Sequence, residues 1–437
     1  MNGKNPLLKK EIGLGGAVMM GLGSILGTGV FVSVGIAAGI SGPSVILAVL
    51  LAAVVAMCNA FSSAQLAANH PVSGGTYEYG YHYLHPLFGF TAGWMFLCAK
   101  SASAATASLG FSGYLVNSLG LPSGYFVPVA LLVCVLFTGL VLSGVRRASV
   151  VNSVIVGMTL LSLGAFVVCG LPSVFSTDHS RFIPFFAPGP EHGKGAMAAL
   201  LHATALMFVA YTGYGRIATL GEEVHDPRRI IPRAIVLTLI VSAVVYTAVS
   251  AVAVGAVGSE ALSQAAHTGA APLEVVARGF SPAGVHLVVA LGAMTAMLGV
   301  LLNLILGLSR VLLAMGRRGD MPGAVARLNA TQTTPYVAVI VVGMIIIGLA
   351  SLGSVKTAWT FSAFTVLIYY AITNFAALRL TKEQRLYPRI FAWGGLGACL
   401  FLAFWVEVQV WVAGFILIML GMLWWVVAQQ IALRKSA

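Results

Sequence analysis

Long runs of apolar residues, each ended by a short polar or Pro/Gly-rich stretch, recur along the whole chain. A helix that crosses a hydrocarbon core about 30 Å thick needs about 20 such residues. The pattern predicts twelve spans, at 12–40, 43–69, 87–118, 124–143, 150–172, 195–221, 233–257, 282–315, 335–353, 357–378, 389–406 and 409–432. The expected fold is an all-α polytopic membrane protein. Two connecting segments stand out. Residues 174–194 are rich in Pro and Gly, and 258–280 has the pattern of short amphipathic helices on the outer face.

Two runs are interrupted where a helix should be continuous. The first reads Gly23-Ser24-Ile25-Leu26-Gly27-Thr28-Gly29-Val30-Phe31, and the sixth reads Ala210-Tyr211-Thr212-Gly213-Tyr214. Glycine weakens a helix interior, so both are expected to unwind. Close packing of Gly23 and Gly27 against a neighbour is the other use of such spacing. Spans one and six are five apart. Five is odd, so a second unit would enter the membrane from the opposite side, as in inverted-repeat transporters whose broken helices meet near the midplane. The expected organisation is an N-terminal segment 1–11, a first repeat 12–172, a second repeat 195–378 and two accessory helices in 389–432.

Composition agrees. The chain is 59% hydrophobic and 8% charged, against roughly 25% charged in soluble domains. Its formal charge of +12 is therefore a matter of loop asymmetry and not of nucleic acid binding. With the N-terminus inside, 17 Lys and Arg fall in cytoplasmic segments, among them Lys4, Lys9, Lys10, Arg146, Arg147 and Arg317. Only four (Arg181, Lys194, Arg278 and Lys356) fall outside. Both termini are thus expected in the cytoplasm of a cell (inner) membrane protein. The first span is too long for the apolar region of a signal peptide and lacks a small-residue cleavage pattern. Cys58, Cys98, Cys134, Cys169 and Cys399 all lie in apolar runs without CxxC spacing, which fits buried packing and neither disulfides nor metal ligands. There is no Gly-x-x-x-x-Gly-Lys-Ser/Thr loop, so no ATP hydrolysis is expected. No nucleophile–base pair or metal cluster lies at depth. Neither an enzyme, a cofactor nor a metal site is expected.

Several motifs, in order, resemble the amino acid–polyamine–organocation superfamily, and its amino acid permeases most closely. They are Gly23 to Phe31; Pro71-Val-Ser73-Gly74-Gly75-Thr-Tyr77 with Pro86-Leu-Phe-Gly89-Phe-Thr-Ala-Gly93-Trp94; Gly144-Val-Arg146-Arg147; Ala210 to Tyr214 with Glu222-Glu223 and Asp226-Pro227-Arg228-Arg229; and Ser309-Arg310 through Arg317 to Pro322. The resemblance covers residues 12 to about 380. It implies a five-plus-five inverted repeat with helices 1 and 6 broken. It also implies secondary active transport of amino acids by alternating access. The alternative is a polyamine or an inorganic ion (cation or chloride) carried by the same fold.

An unwound helix can hold a zwitterion. Free N–H groups at a half-helix start attract a carboxylate, and free carbonyls at a half-helix end accept from an ammonium. Gly27, Thr28 and Gly29 are assigned to the carboxylate. The carbonyls of Ser24, Ile25, Ala210 and Tyr211 are assigned to the ammonium. Tyr211 and Tyr214, beside Gly213, would shape the side-chain pocket or its gate, or simply pack between helices.

Two intramembrane cations stand out, Lys100 and Arg216. Ionisable groups at such depth are functional candidates. The alternative is a structural clamp, for Arg216 with Glu222 or Glu223. Both would repel a cationic substrate, so neutral amino acids are favoured over polyamines and lysine, with acidic ones next. His202, in the outer half of span six, is a packing residue or a proton site. Between Gly292 and Leu308, span eight offers only Thr295 and Asn303 as polar side chains, a poor oxygen set for sodium. Some proton-coupled relatives in the superfamily carry a lysine in span five, and Thr159 stands at the equivalent position. The expected partners are thus an amino acid substrate, the bilayer, and a proton or an exchanged amino acid.

Overall fold

The computed structural model describes residues 12–72, 74–143, 148–176, 179–186, 195–218, 224–329 and 334–436. Ser73, Arg146, Arg147, Lys194, Glu222, Glu223 and the N-terminal lysines lie outside the described residues. Among the described residues the chain is helical throughout, apart from turns and one isolated bridge between Ile12 and Val224. In lipid every backbone N–H and C=O must be satisfied within the segment, so apolar runs of this length have helices as their outlet.

In chain order the helices are α1 (Leu14–Ile25), α2 (Val34–Ser41), α3 (Val45–Asn69), α4 (Thr76–Tyr83), α5 (Pro86–Ser118), α6 (Phe126–Leu142), α7 (Ala148–Ser176) and α8 (Ala196–Tyr211). They continue with α9 (Gly215–Ala218), α10 (Pro227–Gly269), α11 (Pro272–Ala277), α12 (Val285–Arg318), α13 (Tyr336–Ala350), α14 (Val355–Leu378), α15 (Arg389–Ala403) and α16 (Val408–Ser436). Among the described residues, eight stretches are long and apolar enough to cross a membrane, and Leu14–Ile25, Tyr336–Ala350 and Arg389–Ala403 are shorter apolar helices. The protein is therefore a multi-pass helical membrane protein.

Burial sorts these helices. In the most apolar window of Val355–Leu378, 78% of residues are buried, and 72% in that of Ala196–Ala218. The figure is 11% for Val408–Gln430. So α8 and α14 form the centre, while α16 presents most of its surface outward. Small residues make the central packing close, and α5 carries a run of buried Ala, Ser and Thr from Ser101 to Ala107. Both α12 and α14 pack along α5.

The helices are interrupted at both predicted breaks, and the seventh run has other bounds than predicted. The first run is split: α1 stops at Ile25, Leu26 is extended (φ −74°, ψ 100°), and the chain re-enters helix through a wide turn at Gly29–Ser33. The sixth run is split by a tight turn at Thr212–Tyr214 between α8 and α9. The seventh run begins six residues before the predicted 233 and continues as α10 beyond the predicted end. It bends at Gly258, whose φ of 81° is open to glycine and strained for other residues. The 258–280 segment thus contains the last turns of α10 and the short α11.

Candidate functional site

The two interruptions touch. A side chain added at Gly213 would run into the Ser24 carbonyl. One added at Gly29 would lie 2.5 Å from the Ala210 Cβ and 3.0 Å from its Cα. One at Gly27 would lie 2.7 Å from Val300 Cγ2. Absent side chains at these three positions are what allow α1, α8 and α12 to meet at the breaks.

A cavity of about 370 Å³ ends at this crossing. Ser24, Lys100, Thr212, Gly213, Val300 and Leu304 line it, and they also line a smaller space of about 40 Å³. The smaller space is the blind end of the larger one. Ile25, Thr28, Gly29, Ala210, Ser103 and Trp359 complete it. The open end is bordered by Gly74, Gly75, Arg310 and Arg317, near α4 and the end of α12. The opposite end is sealed. Tyr114 donates to the Phe31 carbonyl at 2.7 Å, and both rings are fully buried. Trp359 Nε1 donates to the Leu206 carbonyl at 3.1 Å. Beyond them Glu274, fully buried, accepts from Ser118 at 3.1 Å and pairs with Arg278 at 3.1 Å.

Backbone groups dominate the blind end. After the break, Val30 and Phe31 both donate to the Gly27 carbonyl at 3.2 Å. Thr28 and Gly29 therefore open a helix, where N–H groups have no carbonyl behind them and favour an anion. Ser33 Oγ satisfies the Thr28 carbonyl at 3.2 Å. On the other side, Tyr246 of α10 donates to the Ile25 carbonyl at 2.7 Å, and the Ala210 carbonyl lies 3.2 Å from the same hydroxyl. Tyr370 of α14 donates to the Thr212 carbonyl at 3.1 Å.

Lys100 is 8% exposed and lines both spaces. Its Nζ donates to Thr212 Oγ1 at 2.8 Å, and Thr212 Oγ1 in turn donates to the Val209 carbonyl at 2.7 Å. No carboxylate among the described residues is within ion-pair distance of it. Arg216, on α9, lines the larger cavity, and the two acids considered as its clamp fall outside the described residues.

The other residues singled out from sequence are placed as follows. Tyr211 and Tyr214 are buried but line neither space. Tyr211 points its hydroxyl at the Val49 carbonyl at 3.3 Å, and Tyr214 packs on Tyr370 with ring centroids 5.4 Å apart. His202 is 1% exposed in α8 and lines neither space. Thr159 donates to the Ile155 carbonyl of its own helix, and Thr295 to those of Leu291 and Gly292. Asn303 lines the larger cavity and reaches Asn152 Oδ1 at 3.5 Å, while Asn152 Nδ2 donates to the Met19 carbonyl at 2.9 Å. A neutral amide bridge therefore joins α1, α7 and α12.

Sequence reasoning missed Tyr246, Tyr370, Trp359 and Asn152. One signal was available: a buried Tyr, Trp or Asn inside an apolar run must find a polar partner, and unwound segments are where free carbonyls exist.

A polar node follows in the chain on residues that border the cavity mouth, Gly74 and Gly75 on one side and Arg317 on the other. Asp320, 1% exposed, accepts from Tyr77 at 2.7 Å and from Tyr81 at 2.6 Å. Arg318 pairs with Glu78 at 2.6 Å and lies 4.0 Å over the Tyr81 ring. Trp424 of α16 donates to the Asp320 carbonyl at 2.9 Å. Burial, and then the bond to Asp320, push the Tyr77 hydroxyl far above its ordinary range, so it remains a donor. Thr76 attaches the same loop to α14 through Thr373 at 2.7 Å.

His70 ends α3 beside this loop, stacked 4.3 Å from His82. Burial, and then repulsion from His82, hold its pKa below the ordinary histidine value. Folding therefore favours the neutral ring. That contribution is present above the unfolded-state pKa and is lost as pH falls through the lower folded value. Thermal stability of the wild type is expected to drop on going from about pH 7 to about pH 5, and His70→Gln to flatten that slope. An unchanged slope in the variant would assign the acid sensitivity elsewhere.

The fold and cavity define a multi-pass helical membrane protein with a ligand-sized space at two broken helices. The amino acid permease profile matches residues 16–435, and the chain belongs to that family. It is 38% identical over 401 residues to an uncharacterized transporter of Mycobacterium tuberculosis, covering 91% of this chain and 86% of that one. It is 27% identical over 415 residues to the branched-chain amino acid permease BcaP of Bacillus subtilis, covering 89% and 84%. It is 25% identical over 399 residues to the methylthioribose transporter of the same organism, covering 87% and 83%. The chain is a permease, with a small molecule as its cargo, and not an enzyme.

Proposed function

We propose that this permease carries amino acids across the cell membrane by alternating access, through twelve spans arranged as a five-plus-five inverted repeat with two accessory helices. The observation that carries this reading is the meeting of the two breaks at the blind end of a cavity. The carboxylate is held by the N–H groups at Gly27, Thr28 and Gly29. The ammonium is held by the carbonyls at Ser24, Ile25 and Ala210, which line the smaller space, whereas Tyr211 does not. With basic residues concentrated on the side of the open mouth, Arg310 and Arg317 among them, the state described here faces the cytoplasm and both termini are cytoplasmic. Neutral amino acids are the favoured cargo, and a relative named as a branched-chain permease supports that choice. The neutral bridge at Asn152 and Asn303, with both threonine hydroxyls bonded within their own helices, favours exchange or proton coupling over sodium.

Lys100 sets the charge limit. A second cation about 5 Å away at an effective dielectric near 20 is disfavoured by about 3 kcal/mol. Wild-type protein is therefore expected to bind leucine and to leave lysine and putrescine unbound. Lys100→Met should let lysine compete with leucine, a gain on the order of a hundredfold. Scintillation proximity binding of labelled leucine with unlabelled competitors reads this directly. Lysine competing equally well in both proteins would remove Lys100 from the selectivity of the site. Leucine failing to bind the wild type would count against the neutral amino acid reading itself.

A further inference from the structure

We infer that Tyr246 is a positioning residue that joins the carbonyls of the two broken helices into one ammonium-binding pair. The inference rests on the amino acid reading above.

Tyr246 is fully buried in α10, a helix that contributes no backbone to the blind end of the cavity. Its hydroxyl is 2.7 Å from the Ile25 carbonyl oxygen and 3.2 Å from that of Ala210. These oxygens belong to the last turn of α1 and the last turn of α8. Residues 25 and 210 are far apart in sequence, and no backbone bond links the two ends. The one hydroxyl proton serves one oxygen at a time. Both oxygens must therefore stay close to a single point for the bond to be made with either.

A carbonyl oxygen has two lone pairs. Tyr246 occupies one, and the second remains for a cation. Two such oxygens held around one hydroxyl, both from residues that line the smaller space, can each accept an N–H bond from one ammonium. Bonds of that kind involve a charged donor and are stronger than neutral ones. Without the hydroxyl, two carbonyls with parallel partial charges would repel, and each half-helix end would relax separately. The ring is held in place by Tyr211, 5.0 Å away, so the hydroxyl is fixed before the ligand arrives.

This role predicts an effect confined to the amino group of the cargo. The test compares leucine with 4-methylpentanoate, which is leucine without its amino group. Wild-type protein in nanodiscs should prefer leucine by about a hundredfold, the value of two charge-assisted bonds. Tyr246→Phe keeps the ring and its packing. It should weaken leucine by about tenfold and leave 4-methylpentanoate unchanged, so that the preference shrinks by the same factor. Tyr114→Phe removes another hydroxyl-to-carbonyl bond, at Phe31, and should leave the preference unchanged. N,N-dimethylleucine, with one N–H left, supplies a measurement on unaltered protein and should bind the wild type at least about tenfold more weakly than leucine.

An undiminished preference in Tyr246→Phe would overturn the assignment while leaving the amino acid reading intact. Equal loss of both ligands in Tyr246→Phe would make Tyr246 structural and also overturn it. Wild-type protein that binds neither ligand, or both equally, would contradict ammonium recognition at the breaks and the inference with it.

Discussion

Replacing Gly213 with alanine is expected to abolish amino acid uptake, by at least about a hundredfold, while the protein still inserts and purifies as a folded species. The methyl group would overlap the carbonyl of Ser24 and approach the Ile25 nitrogen. These are backbone atoms, so no rotamer change relieves the clash, and one half-helix end must move. Overpacking of this kind costs about 1–3 kcal/mol, which a protein with so large a buried core tolerates. Transport does not tolerate it, because the carbonyls and N–H groups of the site are the atoms displaced. Gly29→Val acts from the other side, where the added atoms meet Ala210 Cβ at 2.5 Å, and should also abolish uptake with expression intact. Wild-type uptake in either variant would mean that the crossing of the two breaks is not the binding site.

The largest loss of stability from a single polar change is expected at Asp320→Ala. Tyr77 is 1% exposed, and it and Tyr81 both direct their hydroxyls to this carboxylate. Removing the acceptor strands the buried Tyr77 donor, at about 1–3 kcal/mol, and takes from the part-buried Tyr81 its bond as well. Removing one donor strands nothing, since the carboxylate keeps the other. Tyr77→Phe should therefore be mild, and Asp320→Asn intermediate, because its amide oxygen still accepts. Thermal unfolding in nanodiscs ranks the three. The node ties α4 to the end of α12 and to α16. Equal stability of Asp320→Ala and Tyr77→Phe would show that the hydroxyls find other partners.

How much of this was readable in the chain follows from what each feature depends on. The helices were, because a run of twenty apolar residues has one outlet in lipid, and α3, α5 and α14 lie within two residues of their predicted bounds. The breaks were also readable, because Gly27-Thr28-Gly29 and Thr212-Gly213 weaken a helix by local propensity. What each break faces was not. Tyr211 lies in the second motif, yet its hydroxyl turns to Val49 on α3, while Tyr370, in an unremarkable stretch of α14, caps the Thr212 carbonyl. Asp320 follows the Arg317-Arg318-Gly319 motif, and nothing local says that two tyrosines 239 and 243 residues earlier will close on it. Helix position is a local property. Side-chain direction across a bundle is set by the rotation of helices far apart in sequence.

The central claim is that the space at the two breaks holds an amino acid in transit. Purified protein in liposomes preloaded with unlabelled amino acids, offered labelled leucine, glutamate, lysine or putrescine outside, tests it most directly. Each would be offered with and without a sodium or proton gradient. The predicted result is accumulation of leucine in the absence of sodium, its loss in Gly213→Ala, and no accumulation of lysine or putrescine. No accumulation of any amino acid under any gradient would contradict the account.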